Sequence, residues 1–233
     1  MQIEPAMFLI VGYVMIGGAL GSIAAHLCPV GGAPAAMGTA TGIATGTVQI
    51  LLGAVVTGLF TAATVSSFTS NILLITISGA VGATIMMEVV MFMANILYAF
   101  GCGVLPISGR VAVDPITKAP QTAYKTPQTD GHGVPDVVFV SGILGGFTGG
   151  FGGALIYFTL LYYSNFSYGT AVIVALSIFV ANAILAAYNV RGTIEGFQDP
   201  KFKKLPNELI PSIVVSFFCG LVVLAATIAL GGL

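Results

Sequence analysis

The sequence is poor in charged residues. Only 7 of its 233 residues are Lys or Arg and 8 are Asp or Glu, so charged side chains make up 6% of the chain. An ordinary soluble domain carries roughly 25%. A soluble fold of this size could not cover its surface with so few charges, because there would be too little polar side chain to face water. The scarcity excludes a typical cytosolic enzyme, a nucleic-acid-binding protein and a disordered chain.

Motifs for catalysis and metal binding are missing as well. The three cysteines, Cys28, Cys102 and Cys219, lie far apart and form no C-x-x-C pair. They therefore predict neither a disulfide framework nor a metal site. The chain also has no Walker loop and no nucleophile elbow. We expect no catalytic residues and no metal ligands in this chain.

Long apolar runs account for most of the sequence instead. Hydrophobic residues make up 57% of the chain, and the mean hydropathy is +1.03. A bilayer core of about 30 Å requires about 20 helical residues, and six runs reach that length. They predict an all-α, polytopic membrane protein with one integral membrane domain over residues 1–233. The predicted spans cover residues 6–25, 33–64, 72–105, 137–162, 168–188 and 210–233.

All the basic residues lie in two predicted loops, 106–136 and 189–209. They are Arg110, Lys118, Lys125, Arg191, Lys201, Lys203 and Lys204. The positive-inside rule places these loops in the cytoplasm and both termini outside, in the cell membrane. Arg191 and the three lysines of the second loop are candidates for binding anionic lipid headgroups or for docking a cytoplasmic partner. Simple anchoring of the topology explains them equally well.

Two parts of the chain resemble each other, which suggests a parallel repeat of two-helix units of the kind found in transporters. Phe92-Met-Ala-Asn95 in the third span matches Phe179-Val-Ala-Asn182 in the fifth. The alternative to a true repeat is a chance similarity, which is common in a sequence made of few residue types. Glycines four residues apart share a helix face and let a neighbouring helix approach closely, so packing is favoured over an ion path. The glycines with this spacing are Gly38, Gly42 and Gly46 in the second span and Gly145, Gly149 and Gly153 in the fourth.

Glu88 is the one charged residue deep in a predicted span. A carboxylate at bilayer depth costs roughly 2.5–3.5 kcal/mol on insertion scales, so Glu88 is expected to face the bundle interior, to pair or to be protonated. Its functional interpretation is a cation or proton site, with Asn95 sharing a hard cation such as Na⁺. Asn182 is a third candidate for the ion path. For all three, a purely structural hydrogen bond is the alternative.

Four segments carry the most specific sequence in the chain: residues 30–36, 113–117, 130–135 and 192–202. Together they resemble the family formed by the D subunits of tetrahydromethanopterin S-methyltransferase. The resemblance extends over essentially the whole chain, because the length and the pattern of spans agree as well.

The resemblance implies a role in methanogenesis. The complex, found in methanogenic archaea, moves a methyl group from methyl-tetrahydromethanopterin to coenzyme M and couples this transfer to Na⁺ export. The resemblance implies the related six-span C and E subunits as partners, with membrane lipids around them. It also implies a cobamide held by another subunit, with no cofactor and no nucleic acid bound by this chain. The alternatives are a stand-alone secondary transporter or ion channel and a purely structural membrane scaffold.

Overall fold

The computed structural model describes residues 4–28, 46–100, 136–190 and 205–231, and apart from the short turns these ranges are helical, without a strand. Five of the helices are long and apolar enough to cross a membrane, and the part of α2 over Leu51–Ser66 is apolar but shorter. The prediction of an all-α membrane bundle is confirmed. The six helices are α1 (Pro5–Leu27), α2 (Gly46–Ser66), α3 (Ile72–Phe100), α4 (Asp136–Tyr162), α5 (Tyr168–Val190) and α6 (Leu205–Ala229).

The predicted span limits agree with the helices to within two residues for α1, α4 and α5. The sixth span was predicted to begin at residue 210, but α6 begins at Leu205. Of the predicted span 33–64 the structure describes the part from Gly46 onward, and of 72–105 the part up to Phe100. The remaining parts, and residues 106–135 and 191–204 of the two basic loops, lie outside the described residues.

Polar side chains define the beginnings of two helices on the side of the membrane predicted to be outer. Asn71 precedes α3, and its Oδ1 accepts a hydrogen bond from the backbone N–H of Leu73 at 2.9 Å. Ser167 precedes α5, and its hydroxyl oxygen lies 3.4 Å from the backbone nitrogen of Thr170. Such caps satisfy N–H groups that the first turn of a helix leaves without an intrahelical acceptor.

Helix α4 is the centre of the bundle and the most buried of its helices. It packs against α3 and α1 over most of its length and also contacts α2 and α5. Helix α1 forms the second hub, because it packs against α6 and α5 as well. Helix α6 is the least buried. Large apolar side chains point outward from α3 and α6, as expected where lipid or another subunit replaces water.

Candidate functional site

Asn182 lies at the centre of a buried polar cluster between α1, α5 and α6. Its side chain is fully buried. The amide nitrogen Nδ2 donates a hydrogen bond to the carbonyl oxygen of Ile178, one turn earlier, at 3.0 Å. The amide oxygen Oδ1 therefore faces α6, where it accepts hydrogen bonds from the hydroxyls of Ser212 at 2.7 Å and Ser216 at 3.0 Å. One side chain of α5 is thus bonded to two of α6.

Helix α1 completes the cluster with a backbone carbonyl. The hydroxyl oxygen of Ser212 lies 3.4 Å from the carbonyl oxygen of Gly18. A Cβ atom at position 18 would overlap the hydroxyl of Ser216 and would lie 2.7 Å from Nδ2 of Asn182. Only glycine fits there. We call Gly18 O, Asn182 Oδ1, Ser212 Oγ and Ser216 Oγ the oxygen cluster.

The oxygen cluster lies well inside the membrane. Gly18 is nine residues before the end of α1, and Asn182 is eight before the end of α5. At 1.5 Å per residue these positions are roughly 12–14 Å from the helix ends that lead to residues 28 and 190. Ser212 and Ser216 are seven and eleven residues into α6, or roughly 10–16 Å from the same side. All four oxygens therefore occupy a similar depth, near the middle of a core of about 30 Å.

Further polar groups lead from that side of the membrane to the oxygen cluster. Ser22, one turn after Gly18 on α1, is fully buried, and its hydroxyl has no hydrogen-bond partner in the part of the chain that the structure describes. One turn further, Nδ1 of His26 lies 2.8 Å from the carbonyl oxygen of Ser22. On α6, Glu208 lies one turn before Ser212. Polar residues thus follow one another along both α1 and α6.

Glu88 lies on the outward side of α3 and is half-buried. The residues three before and four after it on the same side, Ile85 and Phe92, are exposed, whereas Met87 and Met91 face the bundle. Among the described residues none forms a hydrogen bond or ion pair with Glu88, and no group of His, Cys, Asp and Glu side chains is placed to hold a metal. Within the described helices the carboxylate does not face the bundle interior, so pairing with a group beyond the described residues is an expectation that remains.

The two other candidates for the ion path differ in what the structure describes. Asn182 lies in the oxygen cluster between α1, α5 and α6, whereas Glu88 lies on the outward side of α3. The backbone of Asn95 belongs to α3, but its side chain lies outside the described residues. The structure therefore does not bring Glu88 and Asn182 into one site. The matched phenylalanines of the suggested repeat also differ in environment, because Phe92 is 42% exposed and Phe179 only 1%.

The predicted glycine face of α4 lies against α1 and α2. A Cβ atom at Gly145 would lie 2.8 Å from the sulfur of Cys28, and one at Gly149 would lie 3.0–3.3 Å from side chains of both α1 and α2. A Cβ atom at Gly153 would lie 3.0 Å from Val55. Each of these contacts is tighter than a side chain normally makes. Of the matching glycines in the second span, Gly46 is the first residue of α2, and Gly38 and Gly42 lie outside the described residues.

Further hydrogen bonds join both ends of α4 to other parts of the bundle. At one end the hydroxyl of Ser141 donates to the carbonyl oxygen of Leu27 in α1 at 2.7 Å. At the other end the hydroxyls of Tyr157 and Ser66 lie 2.8 Å apart, and the hydroxyl of Tyr162 donates to the carbonyl oxygens of Ser66 and Thr69 at 3.3 and 3.2 Å. These contacts connect α4 with α1 on one side of the membrane and with the α2–α3 turn on the other.

Sequence reasoning identified Asn182 but missed its partners. Gly18, Ser22, Ser212 and Ser216 are small residues within apolar runs, and each type usually serves helix packing there. The four-residue spacing of Glu208, Ser212 and Ser216 was the available signal, because it places one acid and two hydroxyls on the same face of α6. The lysines and Arg191 proposed for docking lie outside the described residues.

A family comparison decides the identity of the chain. The sequence model that describes the D subunits of tetrahydromethanopterin S-methyltransferase matches residues 7–216. The chain belongs to this family. It is 46% identical over 237 residues to the D subunit of Methanosarcina mazei, covering 95% of each chain. It is 47% identical over 219 residues to the D subunit of Methanothermobacter marburgensis, covering 91% of this chain and 93% of the relative.

A relative from another genus agrees. The chain is 49% identical over 211 residues to the D subunit of Methanocaldococcus jannaschii, covering 89% of this chain and 91% of the relative. The resemblance inferred from the four loop segments is thereby confirmed. Membership in this family and the apolar helices make the chain a multi-pass membrane component of a methyltransferase complex.

Proposed function

We propose that this chain is a non-catalytic membrane subunit of the Na⁺-translocating methyl-tetrahydromethanopterin:coenzyme M methyltransferase. It packs against the related C and E subunits and helps to form the membrane part that couples methyl transfer to Na⁺ export. The cobamide is held by another subunit. Both termini lie outside the cell, and the two basic loops lie in the cytoplasm, where they dock the subunits that carry out the chemistry.

The position of Glu88 carries the proposal that neighbouring subunits cover this chain in the membrane. Glu88 is sixteen residues into α3, or roughly 24 Å along the helix, which places it within the hydrocarbon core. It is half-buried on the outward side of α3, next to exposed Ile85. In a chain surrounded by lipid, that carboxylate would meet hydrocarbon, at a cost of roughly 2.5–3.5 kcal/mol. A neighbouring subunit that offers a hydrogen-bond donor or a cation removes this cost.

Replacing Glu88 distinguishes between a surface that contacts another subunit and a surface that faces lipid. Glu88→Leu replaces the carboxylate by an apolar side chain that lipid accommodates better, so it should stabilise a protein that stands alone in the membrane. In the complex we expect the opposite, with weaker retention of the other membrane subunits and less Na⁺ uptake per methyl transfer. The measurements are the subunit composition of the purified complex and methyl-transfer-driven Na⁺ uptake in vesicles.

Two further variants complete the design. Ile85→Leu changes the same face without altering its polarity and should leave subunit retention and Na⁺ uptake at the unaltered level. Glu88→Gln keeps a polar group of the same size, so a changed Na⁺ dependence with full assembly would assign Glu88 to the ion path. Full retention and unchanged uptake with Glu88→Leu would contradict the proposal. Na⁺ transport by the purified chain alone in proteoliposomes would favour the stand-alone transporter.

A further inference from the structure

The hydroxyls around Asn182 depart from a rule that most hydroxyls of this bundle follow. In a transmembrane helix, Ser and Thr usually donate to a carbonyl oxygen of their own helix one turn back. In the described helices the side chains that do so are Thr57, Thr61, Thr64, Thr76, Thr84, Thr148, Thr159, Ser177 and Thr227. Ser212 and Ser216 instead bond across to Asn182, and the hydroxyl of Ser22 has no partner in the described part of the chain.

The oxygen cluster is uniform in chemistry. It consists of one amide oxygen, two hydroxyl oxygens and one backbone carbonyl oxygen, all from fully buried side chains or from α1 backbone. The nitrogen of the Asn182 amide lies on the α1 side of the cluster, 2.7 Å from the Cβ position of Gly18, and donates one hydrogen bond to the carbonyl oxygen of Ile178. Each serine hydroxyl can instead donate its hydrogen bond to the carbonyl oxygen one turn back on α6, as the other helical hydroxyls do. The lone pairs of the hydroxyl oxygen then face the cluster. In this arrangement all four oxygens of the cluster present lone pairs.

Such a set of ligands matches a hard cation of single charge. Hard cations are bound by oxygen, and the number of charged ligands increases with the charge and affinity required. The oxygen cluster contains no carboxylate, so it does not offset the much larger desolvation cost of a divalent ion in a membrane interior. In transporters, backbone carbonyls of unwound segments and the C-terminal ends of half-helices near the membrane midplane coordinate Na⁺, and here Gly18 of α1 supplies the backbone carbonyl.

We propose that Gly18 O, Asn182 Oδ1, Ser212 Oγ and Ser216 Oγ bind a dehydrated Na⁺ ion, with the hydroxyl of Ser22 as a further ligand. This inference rests on the proposed role in Na⁺ export and assigns a site for the transported ion within this chain. Glu208, one turn before Ser212, lies between the helix end and the site and attracts cations towards it. The cluster also holds α1, α5 and α6 together, so an ion bound there affects the packing of all three helices.

Two cysteine variants test the site in the intact complex. Ser212→Cys and Ser216→Cys keep the volume and a weak donor but replace a hard oxygen by a soft sulfur, which is a poor ligand for Na⁺. We expect each variant to raise the Na⁺ concentration that gives half-maximal methyl transfer by about tenfold, the scale of one polar contact to a charge. The increase in thermal midpoint on adding NaCl in place of KCl should shrink in parallel, because bound Na⁺ stabilises the folded complex by mass action.

Ser177→Ala and Thr227→Val are the matched controls. Both hydroxyls bond back to their own helices, α5 and α6, away from the oxygen cluster. We expect these variants to keep the unaltered Na⁺ dependence. If the cysteine variants do not assemble, Asn182→Asp tests the Na⁺ site instead, because an added carboxylate should lower the half-saturating Na⁺ concentration.

The outcomes separate this site from the proposed function. Unaltered half-saturating Na⁺ in both cysteine variants, with methyl transfer still coupled to Na⁺ uptake, overturns the site and leaves the proposed function standing. An unchanged or raised value with Asn182→Asp, where the cysteine variants do not assemble, overturns it as well. Methyl transfer without Na⁺ uptake in the complex with the unaltered chain overturns the proposed function itself.

Discussion

Gly17 and Gly152 face each other where α1 crosses α4. A Cβ atom on Gly17 would lie 2.6 Å from the carbonyl oxygen of Gly152, and a Cβ atom on Gly152 would lie 2.6 Å from the carbonyl oxygen of Gly17. The two backbones are therefore in direct contact. Between α3 and α4, a Cβ atom on Gly150 would likewise lie 2.6 Å from the carbonyl oxygen of Gly79. Such approach gives apolar helices the van der Waals contact that holds them together in lipid.

A methyl group at the α1–α4 contact should destabilise the bundle. Gly152→Ala places Cβ against the carbonyl of Gly17, and overpacking of this kind costs about 1–3 kcal/mol. Gly12→Ala is the control on α1, because no atom lies within 4 Å of its added Cβ, and alanine favours a helix by up to about 1 kcal/mol. Equilibrium unfolding in denaturing detergent should show a lower free energy of unfolding for Gly152→Ala and no decrease for Gly12→Ala. Equal behaviour would refute the close contact.

Removing the hydroxyl of Tyr157 should weaken the link between α4 and α2. Tyr157→Phe deletes a buried 2.8 Å hydrogen bond to Ser66, so we expect a loss of about 1 kcal/mol in the same unfolding measurement. Tyr162→Phe deletes longer bonds of 3.2–3.3 Å at an exposed position and should cost less. A larger effect at Tyr162 than at Tyr157 would be incompatible with the described burial.

Ser141→Ala should loosen the contact of α4 with the last turn of α1. The variant removes the 2.7 Å hydrogen bond to the carbonyl oxygen of Leu27, and a buried acceptor left without a donor costs about 1–3 kcal/mol. Thr148→Val is the comparison on the same helix, because the hydroxyl of Thr148 bonds to Leu144 within α4. The unfolding transition should shift clearly for Ser141→Ala and slightly for Thr148→Val. The reverse order would count against this contact.

The three lysines before α6 should matter for assembly rather than for folding. Replacing Lys201, Lys203 and Lys204 together by Gln removes the charges proposed to dock cytoplasmic subunits. We expect those subunits to be partly lost on purification at moderate salt, because surface electrostatic contacts weaken with ionic strength. Replacing Lys118 and Lys125 by Gln is the control in the other loop. Full retention with the triple variant would refute docking at this segment and favour topology anchoring.

The helices were predictable from sequence because a bilayer sets their length and excludes charge. The limits of α4 and α5 were predicted to within two residues for this reason. The start of α6 was placed late because residues 205–209 include polar Asn207 and Glu208, which suit the first turns of a helix as well as a loop. Hydropathy alone does not distinguish these two environments.

The candidate site was only partly predictable, because its geometry depends on which face each helix turns inward. Asn182 stood out as an amide within an apolar run. Ser212 and Ser216 did not, since a serine in such a run usually bonds to its own helix. Glu88 was expected to face the interior, to pair or to be protonated, on energetic grounds that hold for a chain in lipid. The structure places it on the outward side of α3, where the energy of the carboxylate depends on what neighbours the chain.

The glycine contacts of α4 also restrict how the bundle can move. A helix whose backbone touches α1 on one side and α3 on another cannot slide along either neighbour without forcing carbonyl oxygens against Cα atoms. Helix α4 therefore acts as a fixed axis of the subunit. Among the five helices long and apolar enough to cross a membrane, α6 is the least buried against the rest of the bundle. Two of the oxygen ligands proposed for Na⁺ are carried by this helix, so the site joins the least buried of these helices to α1 and α5.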